Sequence, residues 1–285
     1  MKRMGFLWMA AMGLAGSAWA GLSFTSVTKT EGGAPGRSET MQAEVKVQGP
    51  NLRVDIRSGN QPMMKAGNFM ISQDGGKTLY LFDAENKTYM KMDLEAMMGM
   101  AGSMMKMAGG MMQMNYRDMK VDKIAEAKGP AMLGLPTTHY RYKTGYTMEM
   151  TFMGQKNATI TEVEEQIWAT DRMPDPGFKA WRDQQMFRTG HAELDQLIRA
   201  EAEKVKGFPL KRVATTTMRS GQNAPQTTRT EMEVTQFKEE KIDPGHFAIP
   251  AGYREKALED DGGSDSSAHK LPPSFKGFLK SKQGQ

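Results

Sequence analysis

The chain has no cysteine among its 285 residues. That excludes disulfides, thiol catalysis, thiolate zinc sites and iron–sulfur clusters. Histidine is nearly as scarce: His139, His191, His246 and His269 stand far apart, with no H-E-x-x-H pair and no nucleophile elbow. Aromatic residues make up 8% and are not interleaved with any dense Lys/Arg block, so nucleic acid is not an expected partner. No run reaches the ~18 consecutive apolar residues that a membrane-spanning helix needs. Carboxylates are plentiful, but none forms an acid–base pair distinguishable from surface charge, so no enzyme activity is expected. Glu162, Glu164 and Glu165 read as a solvated charge cluster on a strand. Asp74-Gly75-Gly76-Lys77-Thr78 imitates the end of a phosphate-binding loop, yet the glycine required five residues before Gly76 is Ile71, which leaves a hairpin turn.

What is present begins with an export signal. Lys2 and Arg3 precede a short apolar run from Gly5 to Gly16, and Ala18-Trp19-Ala20 supplies an A-x-A cleavage site. Cleavage is expected after Ala20. Without Lys2 and Arg3, 36 basic side chains face 33 acidic ones, a net charge of +3. No Cys follows the cleavage site to carry acyl chains, and the mature protein is expected in a bacterial periplasm.

From Leu22 to Asp93 the apolar residues alternate with period two, the signature of half-buried strands. SETMQAEVKVQG and NLRVDIRS flank a Gly49-Pro50-Asn51 turn, and GNFMISQ, KTLYLFD and KTYMKMD follow as hairpins. NYRDMKVDKIAEAKG, THYRYKTGYTMEMTFMG and ATITEVEEQIWATDR form a second group, the last with an imperfect phase that predicts a bulge. Pro174, Pro176 and Gly177 then stop the sheet. Phe178 and Trp181, followed by Leu194, Leu197, Ile198 and Val205, recur at helical spacing up to Gly207. LKRVATTTMRS and TTRTEMEVTQF close the domain. Beyond residue 256 the chain is polar, rich in Gly, Ser and Pro, and aperiodic, so residues 257–285 are expected to be a disordered tail.

The expected fold is mainly β (α+β): a curved antiparallel sheet of about ten strands spanning residues 21–256. Its two helical excursions, residues 94–114 and 176–206, are expected to cover the apolar concave face. Trp168, Trp181 and Phe187 are expected in the core beneath them.

The openers Gly134-Leu135-Pro136-Thr137 and Gly207-Phe208-Pro209-Leu210, the Trp168 strand running into a proline-bounded helix, and the terminal Phe247-Ala248-Ile249-Pro250-Ala251-Gly252-Tyr253 occur in a familiar order. Over residues 22–255 the chain resembles the exported lipoprotein-carrier superfamily of LolA/LolB-like half-barrels. Within it, the chain is most similar to periplasmic proteins carrying a domain-of-unknown-function label, often with a Met-rich insert. The resemblance implies a curved sheet around a hydrophobic cavity lidded by helices. It also implies a role in holding lipid, acyl chains or other apolar ligands. The carriers' own lid and cargo residues do not map onto positions of this sequence.

The most unusual stretch is LEAMMGMAGSMMKMAGGMMQM, residues 94–114, three sevens holding nine methionines. On a helix, Met97, Met98, Met100, Met104, Met105, Met107, Met111, Met112 and Met114 share one arc of about 160° with Leu94, Ala101 and Ala108. Glycines dominate the opposite arc, and each costs ~1 kcal/mol relative to Ala, so the helix needs its methionine face covered. One reading is core packing against the sheet, which goes with a non-binding structural role or an interaction with envelope proteins. A second is a mobile lid over an apolar ligand, with Trp181 at the cavity mouth, because unbranched thioether chains repack easily. A third is copper(I) binding by Met97, Met100 and Met104, since thioethers are soft ligands suited to an oxidising compartment.

Overall fold

A computed structural model of the chain describes residues 21–33, 38–61, 64–93, 96, 112–152, 154–172, 195–196, 200, 203, 205–221 and 223–256. They build one sheet from β1 (Gly21–Gly32), β2 (Ser38–Gln48), β3 (Asn51–Ser58), β4 (Phe69–Ser72), β5 (Thr78–Asp83), β6 (Thr88–Asp93), β7 (Met112–Lys128), β8 (Thr138–Phe152), β9 (Gln155–Thr170), β10 (Phe208–Ser220), β11 (Gln226–Glu240) and β12 (Arg254–Glu255). The lateral order is β12-β6-β5-β4-β3-β2-β1-β11-β10-β9-β8-β7. Two antiparallel meanders, β1 to β6 and β7 to β11, join where β1 pairs with β11. β6 and β7 are successive in the chain but stand on opposite flanks.

The sheet is mainly β and open, as expected, but it has twelve strands rather than ten. The additions are β1 and β12. In β1 the apolar alternation lasts only through Leu22 and Phe24 before Ser26 and Thr28 replace it. β12 is two residues long and runs parallel to β6, an exception to the antiparallel expectation.

Among the described residues no helix covers a face of the sheet. Ala96, Asp195, Gln196, Ala200 and Glu203 are helical, and the rest of the two expected helical excursions, including Trp181 and Phe187, lies outside the described residues apart from the segment ends. At the start of the first excursion the Asp93 carboxylate accepts the Ala96 N–H at 2.9 Å, the bond of an N-cap. At its end the expectation fails: Met112, Gln113 and Met114 belong to β7, paired with Phe152, Thr151 and Met150. The final Met-x-Met satisfies period two as well as a heptad, and the ladder with β8 decides the outcome. At the end of the second, Val205 packs on Tyr140, Tyr142, Ile167 and Ala169. Gly207, at φ +89, turns the chain beside Thr170, where a Cβ would collide with that residue's carbonyl.

The expected bulge in β9 is instead in its partner. The β8–β9 register runs unbroken from Thr138↔Ala169 to Phe152↔Gln155. The shift falls between Pro209 and Lys211 of β10, leaving Leu210 as the extra residue beside a proline that has no N–H to give the ladder. Trp168 is also corrected. Ile167 and Ala169 are buried, so Trp168 faces the other way, half-buried, with its ring stacked 4.3 Å from that of His139.

Two faces result. On the first, cross-strand partners align into one apolar row over seven strands: Phe237, Phe24, Val45, Val54, Met70, Leu81 and Met90. Leu22, Val47 and Leu52 form the neighbouring row, and Leu210 and Val234 complete the core there. Leu133, in the β7–β8 connection, lines a hollow with Ser23, Phe24 and Phe237, so that hairpin end folds back toward β1 and β11.

On the second face Phe69, Ile71 and Phe82 pack with Tyr80, Tyr89 and Tyr253. A C-terminal strap crosses this face. It leaves β11 with the Ile242 N–H bonded to the Gln48 side chain at 2.9 Å. It then makes a 3-10 turn, Pro244–Phe247, capped by Asp243. Arg53 donates to the His246 carbonyl at 3.1 Å and Gln73 to the Phe247 carbonyl at 2.8 Å. The strap ends with Arg254 and Lys256 N–H bonded to the carbonyls of Lys87 and Tyr89, at 3.0 and 2.8 Å.

The second face also carries a charge trio. Arg57, followed by Lys46, hydrogen-bonds Glu44 and holds its carboxyl down to about 2 from the usual 4.5. A carboxyl lowered in the folded state contributes stability that is present above its unfolded value and lost as pH falls toward the folded one. Solvent screens the trio, since Arg57 is 57% exposed, so the contribution is about 1 kcal/mol. Urea denaturation should therefore show Glu44→Gln less stable than wild type by about that amount at pH 7, with the gap closing between pH 4.5 and 2. A gap unchanged at pH 2 would refute the assignment.

Candidate functional site: an apolar cleft on one flank of the sheet

The seven-strand apolar row runs out at β6, and the space above its last members is open. Ile56, Met70, Leu81 and Met90 form the floor of a cavity of about 390 Å³, and Met64 closes one side. Met64 belongs to the β3–β4 loop, which is fixed by local bonds. The Ile56 N–H donates to the Asn68 carbonyl and the Gly67 N–H to the Ile56 carbonyl, both at 2.9 Å. The buried Asn68 side chain accepts the Ala84 N–H at 3.1 Å, tying the loop to the β5–β6 turn.

Polarity is sorted across the cleft. Asn68, Asp83, Asn86, Thr88 and Lys256 supply its polar lining, while Ile56, Met70, Leu81 and Met90 are apolar. That is the pattern of small-molecule sites: an apolar lining with a few placed polar groups. Asp83 is already engaged, accepting the N–H groups of Glu85 and Asn86 at 3.0 Å and the Asn86 side-chain amide at 2.7 Å. The side-chain and backbone bonds from Asn86 hold its carboxyl below the usual range. Thioether, aliphatic and aromatic groups dominate the lining, with carboxamide, carboxylate, hydroxyl and ammonium groups at its polar positions.

The methionines singled out in the sequence, Met97, Met98, Met100, Met104, Met105, Met107 and Met111, lie outside the described residues, as does Trp181. The same holds for the copper(I) candidates Met97, Met100 and Met104. Among the described residues no group of three or more His, Cys, Asp or Glu is placed to hold a metal ion, and no helix is long and apolar enough to cross a membrane. Met112 opens β7. Beside it Met114 accepts the Tyr116 hydroxyl at 3.4 Å, and the Tyr116 and Tyr146 rings are 5.9 Å apart, so sulfur and aromatic groups continue onto the far flank.

The cleft residues Ile56, Met64, Met70, Leu81, Met90 and Lys256 were missed by the sequence reading. A signal for four of them existed. Ile56, Met70, Leu81 and Met90 are apolar members of successive short strands, and correct register of those hairpins places three of them in a single row.

Glu165 was misread. Its side chain is 1% exposed, and it is paired with the half-exposed Arg212 guanidinium on the adjacent strand. Adjacent carboxylates in a strand do point to opposite faces, and the face that Glu165 takes is the one bearing Ile167 and Ala169.

No curated protein matches the chain. Two solved structures are similar at 9% identity. One is an uncharacterized conserved protein from Thermus thermophilus, with a TM-score of 0.35 over 82% of this chain and 90% of that chain. The other is a putative outer membrane lipoprotein-sorting protein domain from Vibrio parahaemolyticus, with a TM-score of 0.28 over 81% of this chain and 90% of that chain. Residues 33–253, from just after β1 to Tyr253 within the C-terminal strap, match a single family model, and the chain belongs to the family described as Domain of unknown function (DUF4412).

Proposed function

We propose that this protein is an exported, periplasmic binding protein that holds a lipid, acyl chain or other apolar ligand in a carrier-like manner, without catalysing a reaction. The observation that carries the reading is the apolar row of seven strands ending in an open cavity of about 390 Å³. Each methylene moved from water into such a site contributes about 0.8 kcal/mol. Methionine side chains at its floor and wall suit ligands of varied shape, because an unbranched thioether chain changes rotamer at little cost. The ordered motifs shared with the lipoprotein-carrier superfamily support the same reading.

Native mass spectrometry of the full chain, purified from an exporting host, tests it. Wild type is expected to carry a lipid-sized adduct. Leu81→Asp puts a charge in the cavity floor and is expected to lose the adduct with its far-UV circular dichroism unchanged. Wild type free of adduct, or a folded Leu81→Asp variant retaining it, would overturn the assignment of the cleft.

A further inference from the structure

We infer that the cleft receives a fatty acid: a single acyl chain whose carboxylate is met by the Lys256 ammonium. The inference rests on the reading of the cleft as an apolar-ligand site and adds to it the number of chains and the charge of the head.

The cavity, about 390 Å³, stands near the lower end of the range for small-molecule sites, roughly 300–1,000 Å³. It has room for one chain and not for the several chains of a multiply acylated lipid. Its floor of Ile56, Met70, Leu81 and Met90 offers no hydrogen-bonding group, so the chain end of an amphiphile belongs there and the head belongs among the polar lining.

The polar lining decides the sign of the head. Lys256 is the one cation among the described lining residues. Its backbone is fixed at the sheet edge by the bond to the Tyr89 carbonyl, while its side chain is exposed. No ion pair ties that ammonium to another described residue. Asp83, the one acid in the lining, already holds three donors of the β5–β6 turn. A cationic head would have to compete with that turn, whereas an anionic head finds an uncommitted partner. An ammonium on a flexible stem at an exposed site adds a modest preference rather than a tight one.

Displacement of a dansylated fatty acid from the delipidated full chain tests this with three probes of equal chain length: laurate, dodecanol and dodecyltrimethylammonium, each below its micelle-forming concentration. Laurate is expected to displace the dye about fivefold more tightly than dodecanol, the size of one exposed ion pair. The cation is expected to be weakest. Lys256→Gln should bring laurate to the level of dodecanol while leaving dodecanol itself unchanged, which also shows that the variant is folded. Equal affinity of laurate and dodecanol for wild type would overturn the carboxylate assignment while leaving the apolar cleft intact. So would a laurate preference that survives Lys256→Gln. Lysophosphatidylcholine binding better than laurate would overturn it in favour of a zwitterionic head. Failure of all three probes to displace the dye would sink the apolar-ligand reading along with this one.

Discussion

Replacing Arg212 by Met should destabilise the folded protein by about 3–5 kcal/mol, and replacing its partner by Glu165→Gln should cost much less, about 1–2 kcal/mol. The asymmetry comes from exposure. The Glu165 side chain is 1% exposed and the Arg212 side chain 51%. Removing the carboxylate leaves a guanidinium that reaches water. Removing the guanidinium leaves a carboxylate between Tyr142 and Ala214, its ladder partners on β8 and β10, with no water to solvate its charge. The double change Arg212→Met with Glu165→Leu should recover most of the loss, because the buried charge then no longer exists. Urea denaturation of the three variants checks the order. If Arg212→Met costs no more than Glu165→Gln, the pair contributes as a surface ion pair and the burial argument fails.

Phe247→Ala should cost about 3–4 kcal/mol, the usual loss for deleting a buried phenyl ring. Phe247 is 3% exposed and is the last residue of the 3-10 turn, whose neighbouring carbonyls receive Arg53 and Gln73. Its loss should loosen the strap as a unit. Hydrogen exchange would read this out locally, at the Arg254 and Lys256 amides bonded to the Lys87 and Tyr89 carbonyls. Phe247→Leu should retain most of the protection. Uniform loss of stability with those two amides as protected as in wild type would show that the strap does not depend on this anchor.

The strands were legible in the sequence wherever apolar residues alternated against polar ones for three or more positions, as in NLRVDIRS and MQAEVKVQ. β1 was obscured because serine and threonine take its outer core positions, and β12 because two residues carry no period. Trp168 and Glu165 show the same limit from opposite sides. Residue type suggested that the indole should be buried and the carboxylate exposed, yet alternation along β9 places Trp168 with Gln166 and Glu165 with Ile167. Strand parity outweighs the preference of a single side chain, because slipping the register by one residue would expose Ile167 and Ala169 together. The cleft was harder to see for a different reason. It depends on pairing between β3, β4, β5 and β6, and on a lysine that arrives from the far end of the chain. Period two says which residues share a face but not which strand lies beside which.

The pairing of β1 with β11 joins Gly21 to Glu240, and β12 returns from residue 254 to lie beside Thr88. Both closures use residues 226–256, at the end of the described chain, to complete strands made much earlier. Such non-local contacts cost loop-closure entropy before they return any burial, so the protein should fold slowly for its size. Until β11 has emerged β1 presents an unpaired edge, and until residue 256 has emerged the phenyl rings of β4 and β5 lack their strap, states that invite association with other chains. A chain with this topology therefore avoids such association best by remaining unfolded until its final strands are available.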